Sequence, residues 1–306
     1  MALDTAKATT QLRDLTQKFD NGLKTSRIFY PRICTTVNST GADEKYGFLG
    51  AMPGVREWLG DRQWNELAAA DFYLKNKLWE DSLLIGKDDL ADDRMGMYQL
   101  AMPELGKRAA QHPDKLVFQT LVAGETSACW DGQNFFDTDH SWGDSGAQSN
   151  DLTHAAATGT TPTVDEFKAA YREAVSALLG FKDDKGEPLT QAVIEGSMSD
   201  IMIVVPLALR EIAYDAIESI LLSNSTNVVI DRPTIVTSPF LTNAAKFYVF
   251  YTGSELKPLV FQAREPLKRQ MKDLEDIETK DVKFMTRARY NVGYLAWWNA
   301  VLMTFT

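Results

Sequence analysis

Two carboxylates and an imidazole fall within four residues, Asp137-Thr138-Asp139-His140. Such a group can hold a divalent cation or move protons as acid and base. Asp139 and His140 are consecutive, however, and in a regular strand they would point to opposite faces. A metal site would need ligands from elsewhere, and the only other histidines are His112 and His154. The simpler reading is a polar turn that closes a hairpin begun at Trp130, with Asp131-Gly132 as the turn signal between apolar flanks. Nucleophilic chemistry has less support. Cys34 and Cys129 are the only thiols, too few for a disulfide framework and not a C-x-x-C pair. They read as free thiols in a reducing compartment. There is no G-x-S-x-G, H-E-x-x-H, Walker loop or strand-following G-x-G-x-x-G. Asp88-Asp89 and Asp92-Asp93 lack the glycine and bidentate glutamate of a calcium loop. The expectation is a protein with no catalytic residues, no metal and no cofactor, and not an enzyme.

The chain has 306 residues, which suggests about two domains, and 44% hydrophobic with 24% charged residues is ordinary globular usage. Its net charge is −10. That average disfavours a general phosphate binder, because nucleic-acid affinity rests on clustered Lys and Arg. The charge is uneven: residues 1–32 carry six basic and three acidic side chains. A short stripe, Arg264, Lys268, Arg269 and Lys272, is interrupted by Glu265 and reads as a solvated face or a subunit contact. Residues 1–20 lack the apolar core of a secretory signal, and the charge-free run 290–306 suits buried strands better than a membrane anchor.

Leu12, Leu15, Phe19 and Leu23 form one apolar stripe, predicting an amphipathic helix over 5–23 that must lie on its own body or a neighbouring subunit. Pro31 makes 28–38 an edge or linking stretch, and the glycines of 39–54 predict a loop. Residues 55–93 read as a long two-stranded excursion carrying Trp58, Trp64, Phe72, Tyr73 and Trp79, with twelve acidic and six basic residues over 33–93. So much aromatic surface needs a cover, and a neighbouring subunit supplies one. A helix follows, expected to bend or break at Pro103 and Gly106, then a second over 114–123. Residues 143–162, rich in Gly, Ser, Asn and Thr, are the best candidate boundary. Thr163 and Glu166 make a capping box, Ile201 to Val205 a buried strand, and 207–222 a helix. Strands dominate from 228 to the end. The order is α+β.

Short blocks then come in a specific sequence: Phe29-Tyr30-Pro31, Tyr46-Gly47-Phe48-Leu49-Gly50, Arg56-Glu57-Trp58-Leu59-Gly60, Asn76-Lys77, Trp79-Glu80 and Lys87-Asp88-Asp89-Leu90. Gly96-Met97-Tyr98, His112-Pro113-Asp114, Leu116-Val117-Phe118, Cys129-Trp130-Asp131-Gly132-Gln133 and Phe135-Phe136-Asp137-Thr138-Asp139-His140 follow. In this order they resemble the major head (capsid) subunits of phage Mu and Mu-like prophages, densely up to His140 and more loosely through Lys257-Pro258-Leu259 and Arg289-Tyr290-Asn291-Val292-Gly293-Tyr294.

The resemblance implies the Hong Kong 97-type capsid fold. It maps 1–32 to an N-terminal arm, 33–93 to the extended E-loop region, and 94–162 to a P-domain with its spine helix. It maps 163–245 to the A-domain and 246–306 to the A-domain end with a return to P-domain strands. The implied function is a head subunit that assembles through hexamers and pentamers into an icosahedral shell around double-stranded DNA, without sequence-specific binding and with no membrane partner. Scaffolding, protease, portal and decoration proteins would be its partners, and virion and host cytoplasm its locations. Contacts between copies are expected at Leu12, Leu15, Phe19, Trp58, Trp64, Phe72 and Trp79. On this reading the DNA-facing wall needs no basic surface, and no Lys–Asn cross-link is expected. The alternatives are the shell protein of an encapsulin-like nanocompartment and, less favoured, a metal-dependent hydrolase centred on Asp137, Asp139 and His140.

Overall fold

The first helix, α1 (Thr5–Thr25), buries Ala8, Leu12, Leu15 and Phe19 along one stripe. The computed structural model describes residues 5–41, 43–49, 69–92, 94–189, 200–217, 221–222, 225–226, 233–272 and 281–306. After α1 a single 3-10 turn, with Pro31 at its start, leads into β1 (Cys34–Asn38). Strands β2 (Asp43–Leu49), β3 (Ala69–Lys75) and β4 (Lys77–Ile85) follow, then the short α2 (Lys87–Ala91) and the long α3 (Gly96–Ala123). Strand β5 (Asp151–His154), helix α4 (Val164–Gly180), strand β6 (Ile201–Pro206) and helix α5 (Arg210–Ile217) come next. The remainder is strand: β7 (Leu221–Leu222), β8 (Ser225–Thr226), β9 (Thr234–Ser238), β10 (Lys246–Tyr251), β11 (Leu259–Lys272), β12 (Val282–Tyr294) and β13 (Ala300–Phe305).

These strands build two main sheets. One has the order β1-β11-β12-β4 and the other β5-β13-β10-β6-β9. In the second, β6 is buried at every position, and β10 and β13 nearly so, as strands covered on both faces must be. Helix α4 lies on it through Phe167, which stacks on Phe247 at 4.7 Å, and its start carries the capping box of Thr163 and Glu166. Strands β11 and β12 pair antiparallel from Leu259↔Tyr294 to Lys272↔Lys283 and tie the sheets together, because β10 leads into β11 and β12 leads into β13.

Helices α1 and α3 share one face of the four-stranded sheet. Phe19 meets Phe284 of β12 edge-on at 5.0 Å. The helices approach so closely that a Cβ on Gly106 would lie 2.2 Å from the Phe19 carbonyl oxygen, and one on Gly22 would lie 2.1 Å from that of Pro103. The helix expected to bend or break at Pro103 and Gly106, with a second one over 114–123, is not interrupted. Helix α3 runs 28 residues, about 42 Å, through both Pro103 and Pro113. Each proline removes an N–H from the helical ladder, and tertiary packing offsets the loss: Pro103 faces the backbone of α1 and Pro113 is buried.

Other expectations are corrected. The excursion is a hairpin of different composition: β3 pairs with β2, inside the expected glycine loop, in the register Asp43↔Lys75 to Leu49↔Ala69. Strand β4 instead joins β12. The stretch 143–162 is not loop throughout: β5 within it pairs parallel with β13. The helix expected over 207–222 ends at Ile217, with Leu221 and Leu222 in a strand. The run 228–230 lies outside the described residues. The strands beyond 246 divide, β10 and β13 to the five-stranded sheet, β11 and β12 to the four-stranded one.

Gly106→Ala should therefore lower unfolding free energy by about 1–3 kcal/mol, the usual cost of forcing extra volume into a packed contact. Gly96→Ala, where a Cβ meets nothing within 4 Å, should change it by less than about 0.5 kcal/mol. Urea midpoints of the two variants check this, and equal midpoints would count against the packing.

Candidate functional site

The Asp137–His140 group closes on itself. The Asp131-Gly132 turn forms as read, with Gly132 at φ 88° and the Cys129 N–H donating to the Gln133 carbonyl at 2.6 Å. His140 is fully buried, its Nδ1 lies 2.6 Å from Asp131 Oδ2, and its ring stacks on Trp297 at 4.0 Å. Burial raises the Asp137 carboxyl, but N–H groups of Thr138 and Asn134 donated to it outweigh that, and the net shift is downward. The Asp137 N–H donates to Asn150 Oδ1, and Asn150 Nδ2 donates to the carbonyls of Phe135 and Trp297. Asp139 is exposed. The group fastens a loop to the five-stranded sheet, and among the described residues no three His, Cys, Asp or Glu side chains gather as a metal site would need. Burial pushes both the Cys34 and Cys129 thiols up, away from reactive thiolate.

The surfaces suited to association lie elsewhere. Among the described residues strand β2 pairs with β3 alone, so the two form a ribbon outside both main sheets. Buried amides fix its base. Asn76 Nδ2 donates to Ser39 Oγ and the Gly41 carbonyl, Gln262 Nε2 to the Leu74 carbonyl, and Asn291 Nδ2 to the Lys75 carbonyl. Among the described residues strand β4 is an edge strand, and its Leu78 and Leu84 are 55% and 54% exposed. Met97 and Leu100, one turn apart on α3, are 77% and 72% exposed. Sequence reading missed these four. The signal was present in β4: Leu78 and Leu84 are out of phase with Trp79, Leu83 and Ile85, which marks a strand with apolar residues on both faces.

The residues expected at contacts between copies fall in three places. Leu12, Leu15 and Phe19 meet the chain's own α3 and β12 rather than a neighbour, because the glycine crossing lets α1 settle into its own body. Trp58 and Trp64 lie outside the described residues. Phe72 sits opposite Tyr46 in the ribbon. Trp79 is half-buried and lines a cavity of about 260 Å³ between α3 and the sheet, together with Arg108, His112, Leu267 and Tyr290. Its Nε1 donates to the Tyr290 carbonyl, and His112 Nδ1 lies 2.8 Å from the Tyr290 hydroxyl.

Burial, with Lys115 adding to it, holds His112 below the usual imidazole range. A depressed imidazole favours folding while neutral. That stability is present above the usual value and is lost as pH falls through it, when the unfolded chain takes the proton first. Wild type should thus lose more stability than His112→Gln between pH 8 and pH 5.5 in urea titrations. A constant difference between the two proteins across that range would show that His112 is not desolvated.

The model of the family described as Mu-like prophage major head subunit gpT matches residues 9–164. The Mu-like prophage FluMu major head subunit of Haemophilus influenzae is 38% identical over 155 residues, 51% of this chain and 50% of that protein. The major capsid protein of Escherichia phage Mu is 39% identical over 122 residues, 40% of each chain. The chain thus spans half the length or less of the curated relatives it matches. A subunit from the procapsid of bacteriophage JBD30 superposes with a TM-score of 0.57 at 25% identity, over 98% of this chain and 75% of that one. The fold is the α+β capsid fold of Hong Kong 97 type that the resemblance implied. The matched segment covers both the β2–β3 ribbon and α3, and the chain belongs to the Mu-like prophage major head subunit family.

Proposed function

We propose that this protein is the shell-forming head subunit of a Mu-like phage or prophage, a structural protein that associates with copies of itself around double-stranded DNA. The observation that carries this is family membership across the ribbon and α3, joined to a fold shared with a procapsid subunit over nearly the whole chain. In this reading α1 belongs to the N-terminal arm, residues 33–93 hold the E-loop, α3 is the spine helix, and 163–245 form the A-domain. The two-stranded ribbon then lies over a neighbouring copy, and Trp58, Trp64, Phe72 and Trp79 contribute apolar area at about 25 cal/mol per Å² buried. Hexamers and pentamers, a scaffold, a protease, a portal and decoration proteins complete the assembly. It takes place in host cytoplasm and ends in the virion.

Negative-stain electron microscopy with light scattering on the purified chain tests the reading. Closed shells, tubes or rings of five or six are expected, with DNA inside particles taken from lysed hosts. Particles that enclose protein cargo and no DNA would overturn the phage-head assignment. Trp58→Ala should leave the chain soluble and folded by circular dichroism while shells become scarce; an unfolded variant would remove Trp58 from the proposed contact.

A further inference from the structure

We infer that the face of the four-stranded sheet turned away from α1 and α3 is a carboxylate-binding surface, filled by acidic side chains of a second copy of this chain. The assignment rests on the shell reading and names one contact within it. The fold divides the cationic stripe seen in the sequence. Arg269 lies on the helix side, where it pairs with Asp20 of α1 at 2.9 Å. Phe284 and Tyr290 of β12 face the same side, toward Phe19 and His112. Strand alternation therefore puts Lys283, Arg287 and Arg289 on the opposite face. The register sets Lys268 and Lys272 of β11 beside them, as Lys268↔Arg287 and Lys272↔Lys283. Arg264 joins them through a bulge. Pairing steps from Ala263↔Tyr290 to Glu265↔Arg289, which leaves Arg264 as the extra residue, and Pro266, which has no N–H, sits in the second shift before Lys268.

This face is electrostatically unfinished. Against its six cations stand two carboxylates, Glu265 and, from β4, Glu80. Glu265 lies 3.3 Å from Arg289 and 3.9 Å from Arg287, and Glu80 stands opposite Arg287 in the ladder. Arg264, Lys268 and Lys272 make no ion pair among the described residues. Arg264 is half-buried, and its Nη1 is sealed from solvent without a hydrogen-bond partner. A cation in that state lacks compensation that an outside anion supplies. Like charges directly opposite each other destabilise a ladder, yet this hairpin carries two such pairs. It forgoes stability that opposite charges would have given, as functional surfaces do. Lys268, Lys272, Lys283 and Arg287 are exposed, and Leu78 and Leu84, opposite Arg289 and Lys283, stand exposed on the same face. Guanidinium forks take carboxylates through two parallel hydrogen bonds. The chain itself supplies the acids: residues 124–189 carry twelve acidic and four basic side chains. Two identical cationic faces repel, so this face meets a different, acidic surface of the next copy. That is the heterologous kind of contact that closes into rings.

The test uses shells assembled from equal parts of unlabelled and isotope-labelled full chain, treated with a carbodiimide, which joins an amine to a carboxylate in direct contact. Mass spectrometry should find Lys268 or Lys272 joined to an Asp or Glu of a differently labelled copy, and dissociated subunits should lack that product. Lys268→Glu removes one like-charge pair, so it should raise the urea midpoint of dissociated subunits while cutting the yield of shells by about tenfold. Arg172→Glu, an equal charge change on α4, should leave the yield within about twofold of wild type. Fluorescein-labelled hexaglutamate, followed by anisotropy, should bind dissociated wild-type subunits and bind Lys268→Glu about tenfold more weakly. Shells in which these lysines join no carboxylate of another copy overturn the inference, and so does Lys268→Glu assembling as wild type does. Inorganic phosphate that displaces hexaglutamate at equal concentration would make the face a free-anion site. A random-sequence DNA duplex bound more tightly than hexaglutamate would make it a nucleic-acid face. Either result overturns the inference. Any of these results in the presence of wild-type shells sinks this inference alone, whereas a wild-type chain that never associates sinks the shell reading.

Discussion

A ribbon of two strands cannot hold its own shape in water, because it has too little apolar surface to offset the entropy of ordering it. The β2–β3 ribbon solves this at its base. The chain enters it past Ser39, which follows β1 and whose N–H donates to the Ala263 carbonyl, and leaves it at Asn76, whose side chain bonds back to Ser39 at 2.8 Å. Gln262 and Asn291, cross-strand partners in β11 and β12, donate to successive carbonyls of β3 just before that turn. Asn76, Gln262 and Asn291 are all buried, so losing any one strands a backbone carbonyl at a cost of about 1–3 kcal/mol. The direction of the ribbon is thus set by the body and not by the ribbon.

This makes the β11–β12 pair the element through which the rest is connected. It holds the ribbon base at its middle, carries β1 and β4 on its flanks, and supports α1 and α3 near Phe284. At its other end Tyr294 packs on Phe135 at 4.7 Å and donates its hydroxyl to the Thr120 carbonyl of α3. The Asp131–His140 loop, sealed by Trp297 and Asn150, is part of the same junction. What looked in the sequence like a cluster for chemistry is a clamp between a loop and a sheet.

Local signals were legible where one residue pattern decides one element. The stripe of α1, the capping box of α4, the Asp131-Gly132 turn and the apolar runs of β6, β10 and β13 needed no partner to be recognised. Pairing was not legible. Tyr46-Gly47-Phe48-Leu49 reads as a loop because Gly41, Gly47 and Gly50 crowd it, and only the distant segment 69–75 turns it into a strand. Pro103 is a helix breaker by every local rule, and its tolerance depends on α1, eighty residues upstream, packing against it. The stripe of α1 left two covers open, its own body or a neighbour. The choice is made by Gly22 and Gly106, whose lack of a Cβ has no meaning until the helices meet.

The same logic separates what is finished within one chain from what is left for others. Leu12, Leu15 and Phe19 are finished: they are 1–2% exposed with no partner chain present. Leu78, Leu84, Met97 and Leu100 are not, and among the described residues β4 presents an open edge beside the first two. An exposed edge strand with apolar residues invites uncontrolled pairing. Here Glu80, Asp81 and Ser82, exposed between the two leucines, break the apolar run and discourage an identical acidic edge from pairing with it. A partner for this edge must bring apolar side chains to two separated points and tolerate carboxylates between them. That requirement favours a single register over generic strand addition.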